Sequence, residues 1–417
     1  MYCCWLLKAA SILAVELIIM VGTSAEWSGA NDDHHLPMSS AFSSAALGEP
    51  KTSSAPFDVT FVTQASIDRV WLMADTCVRW TGPIVLVVFL SEEPPFKTDG
   101  ILLPTVCNSG RSSSTSPGDS IPSGSLSSNQ SRMLVNRQIR DEPARVKSAL
   151  FVGSSDAEYP VNHLRNLAIG LVETSHFLVA DVDFVPSRNL YTEVLQHGYH
   201  MLNDLMLAVV VPVFQRRVRS CSSVADCRAL VAQTNPIPAS LEELQQCVTG
   251  IIPAPATETT LEANSSRSLR SRSGNCIVFQ AESNYHGHST TRSSDWLAAS
   301  AHWPVPQPIT CIDSIRYEPY LVLSTWGPAT PRYDEQFTGY GKNKIQFVNH
   351  LRVAGFKFSV LPREFLVHFP HPFSPAKLTW LQNTTLRKHV DTQFASFMKK
   401  LAREYSGLNS SVTPLCS

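Results

Sequence analysis

The sequence predicts an α/β fold, and three observations predict it. Apolar runs of strand length alternate with segments of helical spacing. One run, Ile84–Leu90, is apolar almost throughout, as a strand covered on both faces should be. A third stretch, His-Phe-Leu-Val-Ala-Asp-Val-Asp-Phe-Val-Pro from His176 to Pro186, ends a short buried run in two carboxylates. Open α/β sheets place their ligand-binding residues just there, beyond the carboxyl ends of strands.

From the amino terminus, Trp5–Gly22 is largely apolar, carries Lys8 near its start, and precedes Thr23-Ser24-Ala25. That pattern predicts a signal peptide over residues 1–25, or an uncleaved signal-anchor of a type II membrane protein. Glu16 inside the run weighs against a stable span, because a mid-bilayer carboxylate is costly. Either outcome delivers the chain to the secretory pathway. Residues 26–55 are polar and rich in Ser and Ala, and read as a disordered stem. A single domain is predicted over 56–405, with a tail at 406–417.

The domain opens with alternating apolar residues in Phe57–Thr63, a first strand. Helical spacing over Ser66–Arg79 (Ile67, Val70, Trp71, Ala74, Val78) leads through Gly82-Pro83 to the Ile84 strand, a β-α-β start. A Ser-rich stretch, about 107–131, reads as a flexible insertion. Order returns near Ala149–Val152. Tyr159–Val172 reads as a helix feeding the Asp181 strand, and Leu205–Phe214 as another strand. Residues 215–275 read as a second, loop-rich insertion with Ser/Arg repeats around Ser265–Ser273. An amphipathic helix is expected near Phe394–Tyr405.

Bulk properties narrow the function. In 417 residues, 43% are hydrophobic and the net charge is -1, which offers no basic field for a nucleic-acid backbone. Asn-x-Ser/Thr sequons at Asn129, Asn264, Asn383 and Asn409 agree with the secretory route. Cys3 and Cys4 fall in the leader, leaving an even set of cysteines for disulfides, with Cys221 and Cys227 the favoured local pair. No Cys/His spacing resembles a zinc site.

In extended backbone, Asp181 and Asp183 would share a face while Val182 points to the core. Two like charges so placed call for a cation or strong donors. The expectation is a divalent ion, Mn²⁺ or Mg²⁺, bridging carboxylate oxygen to nucleotide phosphates. Upstream, Arg165 and Asn166 stand at a helix suited to contacting a nucleotide.

Tyr159-Pro-Val-Asn-His-Leu-Arg-Asn166 followed by Asp181-Val-Asp-Phe-Val-Pro186 resembles glycosyltransferase family 49, the LARGE-type and β-1,4-glucuronyltransferase catalytic domains. The resemblance runs in order through Val59–Gln64, Arg79-Trp80-x-Gly-Pro83, Val210–Gln215, His288-x-x-Thr291 with Trp296, Glu318-Pro-Tyr320, Tyr333–Lys344 and Phe365-Leu-Val-His368, covering about residues 57–372. Departures are Gln215 for Glu, Gln336 for Arg, and the Ser-rich insertions. The resemblance implies a GT-A fold with a metal-bound UDP-sugar at the sheet edge. It implies Asp181, Asp183 and His368 as metal ligands, Asp183 being the direct one and His371 the reserve. Arg165, Asn166, Asp181 and Lys344 would bind donor. The expected catalytic base is Asp334 or Glu335, with Glu318 a further possibility. Tyr340 and Trp296 could stack on sugar or base, though core packing is the default for both. The implied activity is transfer of a sugar, glucuronic acid from UDP-glucuronate first, to a glycan acceptor in the Golgi or endoplasmic reticulum. UDP-xylose or another donor is the nearest alternative. An inactive glycan-binding pseudoenzyme and a metal-dependent hydrolase are the rivals from other classes.

Overall fold

The computed structural model describes residues 17–19, 57–92, 132–136, 145–154, 158–217, 221–233, 237–250, 274–326, 330–407 and 412–417. Its strands are β1 (Leu17–Ile19), β2 (Val59–Ser66), β3 (Ile84–Glu92), β4 (Arg132–Asn136), β5 (Val146–Ser154), β6 (His176–Val179), β7 (Phe184–Pro186), β8 (Leu207–Val211), β9 (Val213–Arg216), β10 (Cys276–Val278), β11 (Gln307–Ile309), β12 (Tyr320–Ser324), β13 (Lys357–Val360) and β14 (Leu366–His368). Ten of them form one sheet in the order β1-β4-β5-β3-β2-β6-β12-β8-β13-β11. β5, β3, β2 and β6 run parallel; β12 is antiparallel to both β6 and β8. The α/β class with a mixed sheet flanked by helices is therefore the architecture found.

β2 sits between β3 and β6, so the chain leaves it toward one side and returns on the other. Such a reversal opens a crevice at the carboxyl ends of the two strands, where ligands bind in open α/β sheets. The helix Val161–Gly170 packs over β2 and β3 with Leu164 and Ala168 fully buried. A second, smaller sheet has the order β10-β9-β14-β7. In it His368 pairs with Phe184 on one side and Gln215 on the other.

Several expected elements change shape. The Ser66–Arg79 segment is a 3₁₀ helix, Ile67–Leu72, that passes into an α-helix, Met73–Arg79. The single strand expected over Leu205–Phe214 is two, β8 and β9, in different sheets. Pro212 separates them. It has no N–H to give a ladder, and its carbonyl accepts the Leu366 N–H at 2.9 Å. The insertion expected over 215–275 also needs correcting: it contains the helices Val224–Gln233 and Leu241–Thr249. They were missed because disulfides anchor this region, Cys221–Cys227 as the spacing favoured and Cys247–Cys276. A further bridge, Cys311–Cys416, ties down the carboxyl terminus. The last helix is longer than expected, Thr384–Glu404, with Asn383 Oδ1 accepting the Leu386 N–H at 2.9 Å as its cap. Its first ten residues are mostly polar and exposed, which hid them from a reading based on apolar spacing.

The 107–131 insertion, the 26–55 stem and the sequons at Asn129, Asn264 and Asn409 lie outside the described residues, as does the leader apart from β1. Among the described residues no helix is long and apolar enough to cross a membrane.

Candidate active site

β6 ends at Val179, two residues before the first carboxylate. The backbone then turns, with the Phe184 N–H donating to the Asp181 carbonyl at 3.0 Å. An extended strand would have aimed both carboxylates one way. The turn instead gives each its own set of partners.

Asp181 is held by cations. Its Oδ1 accepts from Arg165 Nη2 at 2.7 Å, and its Oδ2 from Tyr320 Oη at 2.8 Å and Lys344 Nζ at 3.0 Å. Lys344 Nζ also reaches Tyr320 Oη at 2.7 Å. Burial alone would raise the Asp181 pKa, but Lys344 and Arg165 outweigh it and hold the group ionised well below the usual carboxylate range. Arg165 is buried: its other amino group donates to Asn162 Oδ1 at 2.9 Å and Asn343 Oδ1 at 3.1 Å, and its Nε has no partner among the described residues. It therefore acts through Asp181. The Gly339-Tyr-Gly341 turn delivers Asn343 and Lys344. Both glycines have positive φ, and a Cβ on Gly341 would strike the Trp380 ring.

Asp183 faces imidazoles. Its Oδ2 lies 2.7 Å from His371 Nε2 and 3.6 Å from His368 Nε2, and the two histidine nitrogens are 3.2 Å apart. One ligand atom from each of the three falls within 4.8 Å of the others. Asp183 Oδ1 is buried with no hydrogen-bond partner among the described residues. Burial would raise the Asp183 pKa, but the hydrogen bonds from the two histidines prevail and depress it well below normal. An ionised oxygen, two convergent imidazoles and an orphaned buried lone pair fit a divalent cation. Two nitrogen donors suit Mn²⁺ better than Mg²⁺, which prefers oxygen. Asp181 does not belong to this group of three, whereas the reserve candidate His371 does.

Arg69, from the 3₁₀ helix after β2, stands over the cluster. Its Nη2 is 3.8 Å from Asp183 Oδ2 and bonds His371 Nδ1. Sequence reasoning missed it, although the first residues after a switch-point strand are where ligand contacts collect. Tyr320 was also missed, despite lying in the quoted Glu-Pro-Tyr.

Other expected site residues lie elsewhere. Asn166 points to the loop at 333–335, donating to the Tyr333 carbonyl and to Glu335 Oε1, each at 2.8 Å. Glu335 is exposed and also pairs with His163 at 2.8 Å. The Asp334 side chain accepts the Gln336 N–H at 2.9 Å. Neither carboxylate bonds any member of the Asp181 or Asp183 clusters. Trp296 is wholly buried, its Nε1 donating to the Leu361 carbonyl at 2.7 Å, so it belongs to the core. Tyr340 is half-buried beside the clusters. Burial first, then the charges of Glu318, Asp181 and Asp183, push its phenol up to about 12.

Comparison with known proteins agrees with this picture. The family model described as "Glycosyl-transferase for dystroglycan" matches residues 58–406. Mouse xylosyl- and glucuronyltransferase LARGE2 is 28% identical over 357 residues, covering 84% of this chain and 40% of LARGE2. Human LARGE1 is 24% identical over 359 residues, 86% of this chain and 37% of LARGE1. The chain thus spans well under half the length of these relatives. Among solved structures, GalNAc-T7 with UDP, GalNAc and Mn²⁺ covers 76% of this chain and 44% of its own at 8% identity and TM-score 0.38, an overlap too slight to bear on the site.

Proposed function

Because the chain belongs to glycosyltransferase family 49, we propose that it is a UDP-sugar-dependent transferase of GT-A type that extends a glycan acceptor in the lumen of the Golgi or endoplasmic reticulum. The observation that carries this reading is the Asp183–His368–His371 cluster beside an Asp181 saturated with cations. Glucuronic acid from UDP-glucuronate is the first donor to test and UDP-xylose the second, both suggested by the names of the xylosyl- and glucuronyltransferase relatives. The secretory location rests on the apolar leader, the sequons and the disulfides.

Asp183, His368 and His371 would hold a divalent cation, which would supply positive charge to a diphosphate leaving group. The protein's own groups do the rest. Asp181 keeps Lys344 and Tyr320 in place at the crevice floor, and Lys344 presents an ammonium to anionic substrate. Arg69, partly exposed over the cluster, adds a guanidinium suited to phosphate oxygens.

The test is UDP release by the protein from a secretory host, across UDP-glucuronate, UDP-xylose and UDP-glucose, with glycan acceptors, with Mn²⁺ or EDTA. One donor should be consumed, only with metal, and Asp183→Asn should lower the rate at least about 10²-fold. Absence of both turnover and UDP binding would refute the reading.

A further inference from the structure

The transfer proposed above, if it inverts the sugar, needs a base for the acceptor hydroxyl, and neither carboxylate expected from sequence bonds the Asp181 or Asp183 cluster. We propose that Glu318 is that base and that Asn284 is the residue that positions it. The inference rests on the transferase reading and adds a catalytic residue to it.

Glu318 lies in the loop leading into β12, two residues before Tyr320. Its Oε1 accepts from Asn284 Nδ2 at 2.8 Å, and its backbone N–H donates to the Gly287 carbonyl at 2.9 Å. Its Oε2 has no hydrogen-bond partner among the described residues and is not sealed from solvent. One oxygen is anchored and the other is free. That is the geometry a positioned base requires.

The anchor is itself supported. Asn284 Nδ2 also donates to Gln280 Oε1 at 3.1 Å, and the Gln280 N–H donates to Gln215 Oε1 at 3.1 Å. Gln280 holds a left-handed backbone, φ 54°, to make this link. Gly287 leaves the needed room: a Cβ there would lie 2.4 Å from Asn284 Nδ2 and 3.2 Å from Glu318 Oε1. Gln215, a departure from the family pattern, thus ends in the support of Glu318.

Glu318 stands two residues before Tyr320, whose Oη donates to Asp181 Oδ2 at 2.8 Å and lies 2.7 Å from Lys344 Nζ, so it sits beside the Asp181 cluster. Lys344, Asp181 and Arg165 act on Glu318, and Glu318 and Asp183 both act on Tyr340. Tyr320, which opens β12, also feels Glu318. Burial raises the Glu318 pKa, Asp181 adds to the rise, and Lys344 and Arg165 oppose it. A carboxyl raised toward neutrality is a better proton acceptor than an ordinary one. Glu335 is the reverse case: Asn166 and His163 overcome its burial and lower it.

In the step, Glu318 Oε2 takes the acceptor O–H proton as that oxygen bonds to the anomeric carbon. The carbon–oxygen bond to the diphosphate breaks, and its electron pair leaves with UDP. The proton passes to solvent when product departs.

The experiment measures UDP release with UDP-glucuronate and UDP-xylose, with glycan acceptors or water, on the full chain and on Glu318→Gln, Glu318→Ala and Asn284→Ala. Binding of UDP and Mn²⁺ is measured beside it by calorimetry. Glu318→Gln should lower kcat about 10²–10⁴-fold while UDP and Mn²⁺ affinities stay within about threefold. Asn284→Ala should keep a reduced kcat with an altered pH profile. Azide, a nucleophile that needs no deprotonation, should accelerate UDP release by Glu318→Ala and yield the inverted glycosyl azide. Carbodiimide labelling read by mass spectrometry gives a readout without turnover: Glu318 should keep reacting to a higher pH than the exposed carboxylates of the same chain, in line with its raised pKa. A kcat within about fivefold of wild type in Glu318→Gln, or loss confined to Asp334→Asn or Glu335→Gln, overturns the assignment. So does labelling of Glu318 that falls off with pH together with that of the exposed carboxylates. Wild-type protein that neither binds UDP nor releases it refutes the transferase reading instead.

Discussion

At the scale of single residues, the two carboxylates of Asp-Val-Asp have different work. Asp181 neutralises a buried Arg165, so Asp181→Asn should leave an uncompensated buried charge and cost about 3–5 kcal/mol of stability. Asp183→Asn removes a metal oxygen and should change apo stability far less. Thermal unfolding with and without Mn²⁺ separates the two. Equal loss of stability in both variants would contradict this division. A pH effect follows from His176, which is buried at the start of β6 with Nε2 unpartnered and a pKa lowered by burial to about 4. The unfolded ring titrates near 6.5. Its contribution is therefore complete above that value and is lost as pH falls from about 6.5 to about 4, up to roughly 3 kcal/mol. Denaturant midpoints at pH 7 and pH 4.5 should differ in wild type, and the difference should shrink in His176→Phe. The sequence revealed that a charged pair followed a buried strand. It did not reveal that the strand stops after four residues, because that depends on the Asp181–Phe184 turn.

At the scale of elements, continuous apolar runs were the easy part. β2, β3 and β6 are buried along nearly their whole length and stand out from the residues alone. Pro212 was the informative exception, since one missing N–H lets a single apolar run serve two sheets. Helices held by caps and bridges were harder to see. Asn383→Ala should lower stability by about 1 kcal/mol through loss of the cap on Thr384–Glu404. The Cys311–Cys416 bridge closes a long loop and joins Ile312 to Leu415 in a parallel bridge. Paired serine substitutions there should cost about 2–4 kcal/mol, read from denaturant midpoints under non-reducing conditions. An unchanged midpoint would show that the tail adds nothing to the domain.

At the scale of the whole molecule, the site joins distant parts of the chain: Arg69 after β2, Asp183 after β6, Lys344 after a glycine turn, His368 at the end of β14 and His371 just beyond it. Motif order carried most of this assembly. The mutual positions of Glu318 and Asn284 needed the structure, because their link crosses from the α-helix Tyr285–His288 region to β12. A cation held by Asp183 and the two histidines would bind only the folded chain, so Mn²⁺ at a hundred times its Kd should add about 2.7 kcal/mol of stability. That increment should vanish in Asp183→Asn.

The sheet order has a consequence for how the chain is made. β6 lies between β2 and β12, and Leu178 pairs with Phe61 on one side and Val322 on the other. The β12 half of that pairing is translated about 145 residues later, a wait of roughly 10–30 s on the ribosome at ordinary elongation rates. Throughout that interval an apolar strand is left with one open edge, the template on which nascent chains mispair. Production of this protein is therefore expected to depend on chaperones that cover the β6 edge until its late partner emerges.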